Sequence, residues 1–341
     1  MTDKFLVSAI LVSHDGATWI PEVIAALNNQ SRPVDRIVAV DTGSEDASTT
    51  FLRNSGVTVL ETSRDVGFGS AIDQGLTLLP INENYEEWLW FIHDDCAPAL
   101  DALAKLLAGV ENRPNVAIAG PKLRGWYDRN HLLEVGITIA GNGSRWTGLE
   151  KGEQDQGQHD GNNSEVLSVS TAAMLAKRSV FESIGGFDPN LELFRDDVDL
   201  GWRAQVAGFS VICVTDAVAF HAEAAANERR AVDVSEAFLH RPLLLDRRNA
   251  AYVLLANSSW WMLPWIAVQL IFSSALRAVV NLLAKLPGYA ADELAAVVLL
   301  LIKPADLIQA RRERKNHRML SARVVGRFIP PRSQQFRATF E

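Results

Sequence analysis

The sequence predicts an α/β protein with a mostly parallel central sheet flanked by helices, followed by a C-terminal helical segment that associates with a membrane. Three observations predict this architecture. Short apolar runs alternate with segments of helical spacing, acidic residues directly follow several of these runs, and residues 249–276 carry no formal charge. Because strand–helix alternation is typical of a doubly wound sheet, we expect one α/β domain in residues 1–240 and a helical region in residues 241–341.

Apolar runs without polar alternation predict strands buried on both faces of the sheet. In the first part of the chain the predicted strands are Leu6–Val12, Arg36–Val40, Val57–Leu60 and Glu87–Ile92, with helices at Trp19–Leu27, up to about Asn54, and at Gly67–Leu79. Further along, the predicted elements are helix Leu100–Val110, strand Val116–Ala119, strand Val166–Leu175, helix Arg178–Ile184, helix Asp196–Ala207 and strand Ser210–Val214. Residues 141–164 are rich in Gly, Asn, Gln and charge, and predict a mobile loop.

Charge is distributed unevenly along the chain. Residues 241–341 contain 15 basic and 6 acidic residues, a net charge of +9, whereas residues 1–240 contain 18 basic and 35 acidic residues, a net charge of −17. An acidic body argues against nucleic acid as its partner, and a basic C-terminal region favours contact with an anionic membrane. With two cysteines no disulfide framework is expected, and the N-terminus lacks the pattern of a signal peptide.

The segment 88–98 joins a predicted buried strand to a cluster of polar side chains. Five apolar residues lead directly into His93, Asp94 and Asp95. Ligands of open α/β sheets bind beyond the carboxyl ends of the strands, so these side chains could hold a divalent ion. Carboxylates suit Mg²⁺ or Mn²⁺, and an imidazole favours Mn²⁺. The alternative is a solvated acidic turn in which Asp94 or Asp95 caps the next helix.

Two other segments are consistent with a nucleotide site. Asp41 ends a predicted strand just before Gly43, so its carboxylate could accept hydrogen bonds from a base or ribose while the glycine permits close backbone approach. The alternative is an Asx turn. Arg64 precedes Gly67 at a predicted helix start, which suits a phosphate, although this signal is weak by itself.

An acid-rich helix start and a later histidine complete the set of candidates. Asp196, Asp197 and Asp199 fall where a helix should begin, which fits either an N-terminal cap or a general base held beside like charge. His221 ends a later strand, where a lone histidine is more often structural than a ligand. In this position it would close the same cleft.

Taken in order, these motifs resemble the inverting family 2 glycosyltransferases of the GT-A fold, a Rossmann-like arrangement, over roughly residues 5–225. The motifs that carry the resemblance are Ala9–Asp15, Val40–Asp46, His93–Asp95, Gly185–Asp188, Asp196–Asp199 and His221. The resemblance implies transfer of a sugar from a UDP- or dTDP-linked donor to a hydroxyl of a glycan or lipid-linked acceptor, with inversion at the anomeric carbon. Within the family it is nearest to rhamnosyl- and galactofuranosyltransferase-type enzymes of bacterial cell envelopes.

The resemblance also implies roles for individual residues at the donor site. Those implied to bind the nucleotide sugar are Ser13, Asp15, Asp41, Gly43, Arg64, Gly67 and Asp94. Mn²⁺ or Mg²⁺ would be held by Asp95 and His221, together with either His93 or Asp94. That last choice stays open because His93 stands where the family's metal motif usually begins with Asp.

The implied general base is Asp197. Asp196 stands where the family often has Glu, so the assignment between the two carboxylates stays open. Metal would neutralise charge that grows on the departing diphosphate while the base takes the proton of the acceptor hydroxyl.

Two other functions fit parts of the pattern. A sugar-phosphate nucleotidyltransferase would share the sheet and the metal, but it should carry a Gly-rich, basic loop after the first strand, and Ser13–Gly16 is not such a loop. A membrane-recruited, non-catalytic scaffold with a GT-A-like domain fits the departure at His93. Metal-dependent binding of a nucleoside diphosphate distinguishes an enzyme from a scaffold.

The C-terminal region predicts attachment to the cytoplasmic face of the cell membrane. The uncharged run 249–276 is long enough to cross a bilayer, which takes about 20 residues, but one crossing would place the basic tail outside, against the positive-inside rule. We therefore expect helices that lie in the interface, with Trp260, Trp261 and Trp265 at the headgroups and the tail on anionic lipid. A helical hairpin that enters and returns, and a buried helix pair, are the alternatives.

Overall fold

The computed structural model describes residues 4–223, 242–302 and 304–331. Its strands are β1 (Phe5–Ser13), β2 (Arg36–Thr42), β3 (Thr58–Thr62), β4 (Glu86–His93), β5 (Cys96–Pro98), β6 (Val116–Gly125), β7 (Leu132–Glu134), β8 (Thr138–Ile139), β9 (Arg145–Trp146), β10 (Ser164–Glu165), β11 (Leu175–Lys177) and β12 (Ser210–His221). Its helices are α1 (Ile20–Asn28), α2 (Ser48–Asn54), α3 (Phe68–Leu76), α4 (Ala102–Val110), α5 (Arg178–Ser183), α6 (Asp196–Val206), α7 (Pro242–Asn257), α8 (Leu263–Leu283), α9 (Pro287–Ile302) and α10 (Pro304–His317). The end of the predicted first domain (224–240) and the tip of the basic tail (332–341) lie outside the described residues.

A ten-stranded mixed sheet forms the centre of the described structure, in the order β10-β12-β6-β11-β4-β1-β2-β3, with β5 beside β12 and β7 beside β6. Strands β4, β1, β2 and β3 run parallel to one another, whereas β11 is antiparallel to both β4 and β6. The predicted α/β class with a mostly parallel sheet flanked by helices is therefore confirmed.

Strand register brings the polar motifs of the sequence to one edge of the sheet. Ser13 pairs with Asp41, and Val12 pairs with His93, so the carboxyl ends of β1, β2 and β4 lie side by side. His221, at the end of β12, pairs with Cys96 of β5. The chain thus gathers residues that are far apart in sequence at a single edge.

The central strand β4 is buried on both faces, as its uninterrupted apolar sequence predicts. Trp88, Trp90 and Ile92 join a core cluster that includes side chains of α1 and α4. Leu89 and Phe91 point to the opposite side and join a cluster that includes side chains of α3, α5 and α6. Both layers of helices therefore fix the position of the polar residues that follow this strand.

The strand predicted at Val166–Leu175 is wrong. A single isolated bridge at Ser168 and a 3₁₀ turn at Thr171–Ala173 occupy this segment, and β11 begins only at Leu175. The Ser170 side chain accepts from the N–H of Ala172 and so caps the 3₁₀ turn, a local bond that competes with an extended strand. The hydroxyl of Ser168 donates to the backbone oxygen of Asp197 at 2.5 Å.

Other predicted elements are present with shifted boundaries. The strand expected at Ser210–Val214 continues to His221 after an irregularity between Val214 and Val218. The 141–164 segment, predicted as a loop, consists mostly of turns but also contains β9 and the first residue of β10. The uncharged run 249–276 is divided between two helices, α7 and α8, which are separated by residues 258–262 with a 3₁₀ turn at Trp260–Met262.

The C-terminal helices share a core with the α/β part of the chain. Val198 and Trp202 of α6 belong to the same buried cluster as residues of α7, α8 and α10. On α8 the buried residues are Ile266, Leu270, Ser274 and Ala278, which recur at every fourth position and therefore form one face. This face of α8 is directed towards the protein.

The opposite face of this helix is apolar and exposed. Its large exposed side chains include Trp265, Val268, Ile271, Phe272, Val279 and Leu283. Among the described residues, the 24-residue segment Trp260–Leu283 is the one helical segment long and apolar enough to cross a membrane, and 28% of its most apolar window is buried. The helix is thus neither a buried core helix nor polar on its outer face.

A buried cluster of charges anchors α10 to the α/β domain. Arg314, only 7% exposed, donates to Asp188 at 2.6 Å and to Asp199 at 2.7 Å. Asn257 at the end of α7 donates to Asp199 at 2.7 Å and accepts from Arg314. Burial alone would raise the pKa of Asp199, but Arg203 and Arg314 hold it well below its ordinary value.

Replacing Arg314 tests how much this cluster stabilises the fold. Arg314→Met would leave two buried carboxylates with fewer partners, so the free energy of unfolding should fall by about 3–5 kcal/mol. Arg312→Met, an exposed neighbour on the same helix, should change it by less than about 0.5 kcal/mol. Urea denaturation followed by circular dichroism measures both, and equal effects would contradict a stabilising role for the cluster.

Acid should reduce the difference between wild type and Arg314→Met. The folded pKa of Asp199 lies below its ordinary 3.8, so its stabilising contribution is present above about pH 4 and is lost as the pH falls through the folded value. Denaturation at pH 7 and at successively lower pH measures this trend. A difference that widens in acid would exclude Asp199 as the source.

Candidate active site

Three potential metal ligands meet at the carboxyl ends of β4 and β12. One ligand atom from each of His93, Asp95 and His221 lies within 4.8 Å of the others, and Asp95 is 2% exposed. His221 Nε2 lies 3.2 Å from Asp95 Oδ1. This donor set of two imidazoles and a carboxylate fits a divalent transition metal.

The surroundings of the trio orient its members. His93 Nε2 lies 3.2 Å from the hydroxyl of Thr171, and the His93 ring makes an edge contact with the ring of Phe68 at 4.9 Å between centroids. Burial alone would lower the pKa of His221, but the neighbouring Asp95 carboxylate raises it above its ordinary value. The electrostatic environment therefore favours a positive charge at this position.

Asp94 lies apart from this trio in its bonding. Its Oδ2 accepts a 2.7 Å hydrogen bond from the backbone N–H of His14, after β1. A Cβ on residue 16 would lie 2.2 Å from the same oxygen, so only glycine fits at Gly16 without a shift of the loop. Of the two candidates left open by the sequence, the geometry places His93 in the cluster and directs an Asp94 oxygen towards the β1 loop.

Asp41 is buried at the end of β2, where the sequence predicts a nucleotide-binding carboxylate. Its oxygens accept hydrogen bonds from the backbone N–H of Ser44 at 3.1 Å, from the Ser44 hydroxyl at 2.6 Å and from Thr49 at 3.1 Å. The Asx-turn contact of the alternative interpretation is made by the nearby Asp46, which accepts from the N–H of Ser48 at 2.9 Å. Binding of a base or ribose by Asp41 stays a prediction.

Arg64 and Asp15 form an ion pair on the same side of the sheet. Arg64 donates to Asp15 Oδ2 at 2.7 Å and to the backbone oxygen of Gly43 at 3.1 Å. Burial alone would raise the pKa of Asp15, but the hydrogen bond from Arg64 lowers it. Gly43 has φ +66°, and a Cβ there would lie 2.9 Å from the Arg64 backbone N, so glycine permits this approach.

Gly67 and Ser13, both predicted to contact the nucleotide sugar, are closely packed. A Cβ at Gly67 would lie 2.7 Å from the Cα of Glu192, and the next N–H, that of Phe68, donates to the Glu192 oxygen at 3.0 Å. That N–H is thus engaged by protein rather than available to a phosphate. Ser13 is fully buried, and its backbone oxygen accepts from Thr42. The roles of Gly67 and Ser13 in binding the nucleotide sugar stay predictions.

The acid pair at the start of α6 is buried and asymmetric. Asp197 Oδ2 accepts from Arg145 at 2.9 Å, and its Oδ1 accepts from the N–H of Val198 at 2.6 Å. Asp196 Oδ2 is buried without a hydrogen-bond partner in the described structure. Burial and the negative charge of Asp197 together raise the pKa of Asp196 to about 7.

A buried carboxylate lies between the acid pair and the trio. Glu134 accepts from Arg145 at 2.6 Å, and Arg145 in turn binds Asp197. Burial raises the pKa of Glu134, and the negative charge of Asp197 raises it further. The positive charges of Arg145 and His221 act in the opposite direction and lower it. The candidate metal trio and the acid pair are therefore both within electrostatic reach of Glu134.

Sequence reasoning missed several residues at this site. Arg145 belongs to the segment predicted as a loop, and Thr171 belongs to the segment wrongly predicted as a strand. Glu134 and Arg145 have no motif around them, so no local signal marks them. Gly16 could have been noticed because it follows the first strand directly, where close backbone approach is common in α/β sheets.

A comparison with models of protein families identifies the family of this chain. A family model described as glycosyltransferase like family 2 matches residues 7–235. The chain belongs to this family. The predicted recognition of a family 2 glycosyltransferase is thereby confirmed.

Two curated relatives carry names from envelope glycan synthesis. This glycosyltransferase is 24% identical over 287 residues to an N-acetylglucosaminyl-diphospho-decaprenol L-rhamnosyltransferase of Mycobacterium tuberculosis, a match of 77% of the chain and 88% of the relative. It is 27% identical over 174 residues to the O-antigen biosynthesis protein RfbC of Myxococcus xanthus. That second match covers 49% of the chain and spans only 14% of the relative's length.

Solved structures share the fold. A structure titled GalNAc-T7 with UDP, GalNAc and Mn²⁺ aligns with a TM-score of 0.57 at 13% identity, over 86% of this glycosyltransferase and 55% of that chain. S. aureus TarS 1–349 in complex with UDP-GlcNAc aligns with a TM-score of 0.50 at 15% identity, over 95% of this chain and 90% of that one. The predicted GT-A fold is confirmed.

Single substitutions in the trio test its assignment as a metal site. Asp95→Asn keeps the size of the side chain but removes its charge, so Mn²⁺-dependent binding of UDP or dTDP should weaken by at least about 100-fold. Asp94→Asn is the matched control, since an Asp94 oxygen accepts from His14, and it should change the metal dependence only a few-fold. Isothermal titration with and without MnCl₂ measures both.

The same titrations separate the competing assignments. Metal dependence that survives in Asp95→Asn would exclude the trio as the site. Loss in Asp94→Asn together with retention in His93→Asn would place Asp94, rather than His93, beside Asp95.

Proposed function

We propose that this family 2 glycosyltransferase moves a sugar from a UDP- or dTDP-linked donor to a hydroxyl of an envelope glycan or lipid-linked acceptor, with inversion at the anomeric carbon. The observation that carries the proposal is that a potential metal trio and a buried acid pair both interact electrostatically with Glu134, which Arg145 links to Asp197. The mycobacterial relative, named for transfer of rhamnose to a lipid diphosphate, supports this class of acceptor.

The donor would bind at the carboxyl ends of β1, β2 and β4. Asp41 would accept hydrogen bonds from the base or ribose, and its network with Ser44 and Thr49 would orient the carboxylate. His93, Asp95 and His221 would hold Mn²⁺ or Mg²⁺, with the imidazoles favouring Mn²⁺. When bound, such an ion offsets negative charge on the leaving diphosphate.

The remaining donor contacts follow from the same edge of the sheet. Asp15 and Arg64 form an ion pair there, and Gly43 allows the backbone to approach closely. A donor phosphate would add a second anionic partner for Arg64, which already neutralises Asp15. The Arg64 guanidinium has enough N–H groups to serve both.

The Asp196–Asp197 pair would take the proton of the acceptor hydroxyl. An efficient general base has a pKa near the working pH and a lone pair that is free to accept. Asp196 meets both conditions, because its pKa is raised to about 7 and its Oδ2 has no partner among the described residues. Asp197, which the family resemblance implies as the base, is paired with Arg145 and would supply the negative charge that raises the proton affinity of Asp196.

Amide substitutions distinguish the two carboxylates. Asp196→Asn should lower kcat by about two to four powers of ten while leaving the dissociation constant of the donor near that of wild type. Asp197→Asn should lower kcat less, since Asp196 keeps its lone pair. Turnover and donor binding are measured separately, and the reverse order of effects would assign the base to Asp197, as the motif order implies.

The pH dependence of the rate gives an independent test. A protonated carboxyl cannot accept the acceptor's proton, so kcat/KM should rise as the pH rises through about 7 and then level off. A profile that is flat from pH 5 to pH 8 would exclude a base with a raised pKa.

We also propose that the glycosyltransferase lies on the cytoplasmic face of the membrane, with the exposed face of α8 in the interface. The inner face of the helix packs on the protein core, and the exposed outer face is apolar and would be buried at the boundary between headgroups and acyl chains. Arg277, on the inward side near its end, is paired at 2.8 Å with the buried Glu293 of α9. The charge on α8 is thus satisfied within the protein, and the outer face is left apolar.

Truncation is a poor test of this orientation, because Arg314 and the helices around it belong to the core of the fold. Phe272→Ser with Leu283→Ser removes two outward side chains instead, and binding to lipid vesicles should weaken at least about tenfold. The control is Phe51→Ser with Ile81→Ser, which removes two exposed apolar side chains of the α/β domain. Vesicle co-sedimentation measures both, and equal losses would contradict the proposed orientation.

A further inference from the structure

A basic cavity lies between the end of α7, the 3₁₀ turn Trp260–Met262 that precedes α8, and α10. Its volume is about 620 Å³. The residues that line it are Ala256, Ser258, Ser259, Trp260, Trp261, Ile308, Arg311, Arg312, Arg314, Lys315 and Arg318. Five of these side chains are cationic and none is acidic, so the cavity is suited to an anion.

The cations on α10 divide by helical position. Ile308, Arg311, Arg312 and Lys315 occur at spacings of three and four residues, so they form one face directed to the cavity. Arg314 also borders the cavity, but its guanidinium is paired with Asp188 and Asp199. One short helix therefore uses one cation to hold the fold and several others to line an open site.

Two of the cavity cations are fixed in place by backbone oxygens. Arg311 donates to oxygens at the end of α7 and beyond it, including that of Ser258 at 3.0 Å, and Arg318 donates to the oxygen of Asn257. Burial lowers the pKa of Arg311, and the nearby cations Arg318 and Arg314 lower it further. The cavity therefore carries more positive charge than nearby acidic groups neutralise.

The other two cations are exposed at the mouth. Arg312 and Lys315 have no carboxylate partner within the described part of the chain. A guanidinium and an ammonium beside one space can hold a phosphate between them, and arginine does so with paired, planar hydrogen bonds. The charge of this site matches a phosphate rather than a neutral sugar.

The rim of the cavity is aromatic and continuous with the apolar face of α8. Trp260 is 78% exposed and Trp261 is 57% exposed, and Trp265 follows on the same helical segment. Tryptophan is enriched at the headgroup level of membranes, where one end of its ring system is apolar and the other is wet. A soluble phosphate would use the cations but not this rim.

We propose that this cavity binds the phosphate of an anionic membrane phospholipid, whose acyl chains lie along the exposed face of α8. This inference rests on the proposed membrane orientation and deepens it by assigning the contact to a defined site. Arg312 and Lys315 contact the phosphate, Arg311 and Arg318 shape the floor, and Trp260 with Trp261 lies beside the glycerol and upper chains. The site fixes which end of α8 meets the headgroups.

The test compares two double variants of the full chain that remove equal charge. Arg312→Gln with Lys315→Gln alters the cavity, whereas Lys285→Gln with Arg323→Gln removes one lysine and one arginine that are exposed but do not line it. Binding is measured on phosphatidylcholine vesicles with and without phosphatidylglycerol. At about 1 kcal/mol per cation, the cavity variant should bind the anionic vesicles roughly 30-fold more weakly, and the control less than about fivefold.

Several outcomes would overturn the proposal. Equal losses in the two double variants would mean that diffuse charge, not a site, attracts the membrane. Equal binding of wild type to neutral and anionic vesicles would exclude an anionic lipid. Displacement of the chain from vesicles by soluble glycerol phosphate, at concentrations too low to act through ionic strength, would indicate a site for free phosphate esters.

Nucleotide binding keeps this inference separate from the proposed function. Arg312 and Lys315 have no assigned part in donor binding, so Mn²⁺-dependent UDP or dTDP binding should be unchanged in the cavity variant and shows that it is folded. If wild type binds the nucleotide but does not bind vesicles, only the lipid site is overturned. Absence of nucleotide binding in wild type would instead overturn the proposed transfer reaction.

Discussion

A single buried guanidinium connects the helical C-terminal region to the acid-rich start of α6. Arg314 contacts Asp188, which lies before that helix, and Asp199, which lies within its first turn. Buried charges persist only when each is paired, so removing one partner is costly. The Arg314 cluster therefore fixes the position of α10 against α6 and against the segment that contains Asp188. Asp196 and Asp197, at the start of α6, are positioned by the same contacts.

Much of the fold and part of the site follow from local sequence. Apolar runs that end in polar residues predict parallel strands with their side chains at one edge, and the observed pairing of Ser13 with Asp41 and of Val12 with His93 places them there. His221 also reaches this edge, because β12 continues beyond its predicted end. Such residues can be found from sequence because the carboxyl ends of parallel strands lie at one edge of the sheet.

The partners of these residues could not be predicted in the same way. Arg145 reaches Asp197 across 52 positions and Arg314 reaches Asp199 across 115, so nothing near either residue in sequence indicates the contact. The strand expected at Val166–Leu175 fails for a related reason, since the Ser168 hydroxyl bonds to the backbone of α6 and the Ser170 side chain caps a 3₁₀ turn. Tertiary contacts here override local pattern, and burial beside Asp197 also raises the pKa of Asp196 to about 7.

The two regions of the chain share one buried core. Residues after 241 were expected to form a membrane-association region, yet α7, α8 and α10 bury side chains in one cluster with α6. On α10, Arg314 points to the acid pair's helix while Arg312 and Lys315 line the basic cavity. If lipid occupies that cavity, the helix that positions the proton acceptor is held at a fixed height above the headgroups. An acceptor anchored in the same leaflet would then meet the site without a hinge between anchor and enzyme.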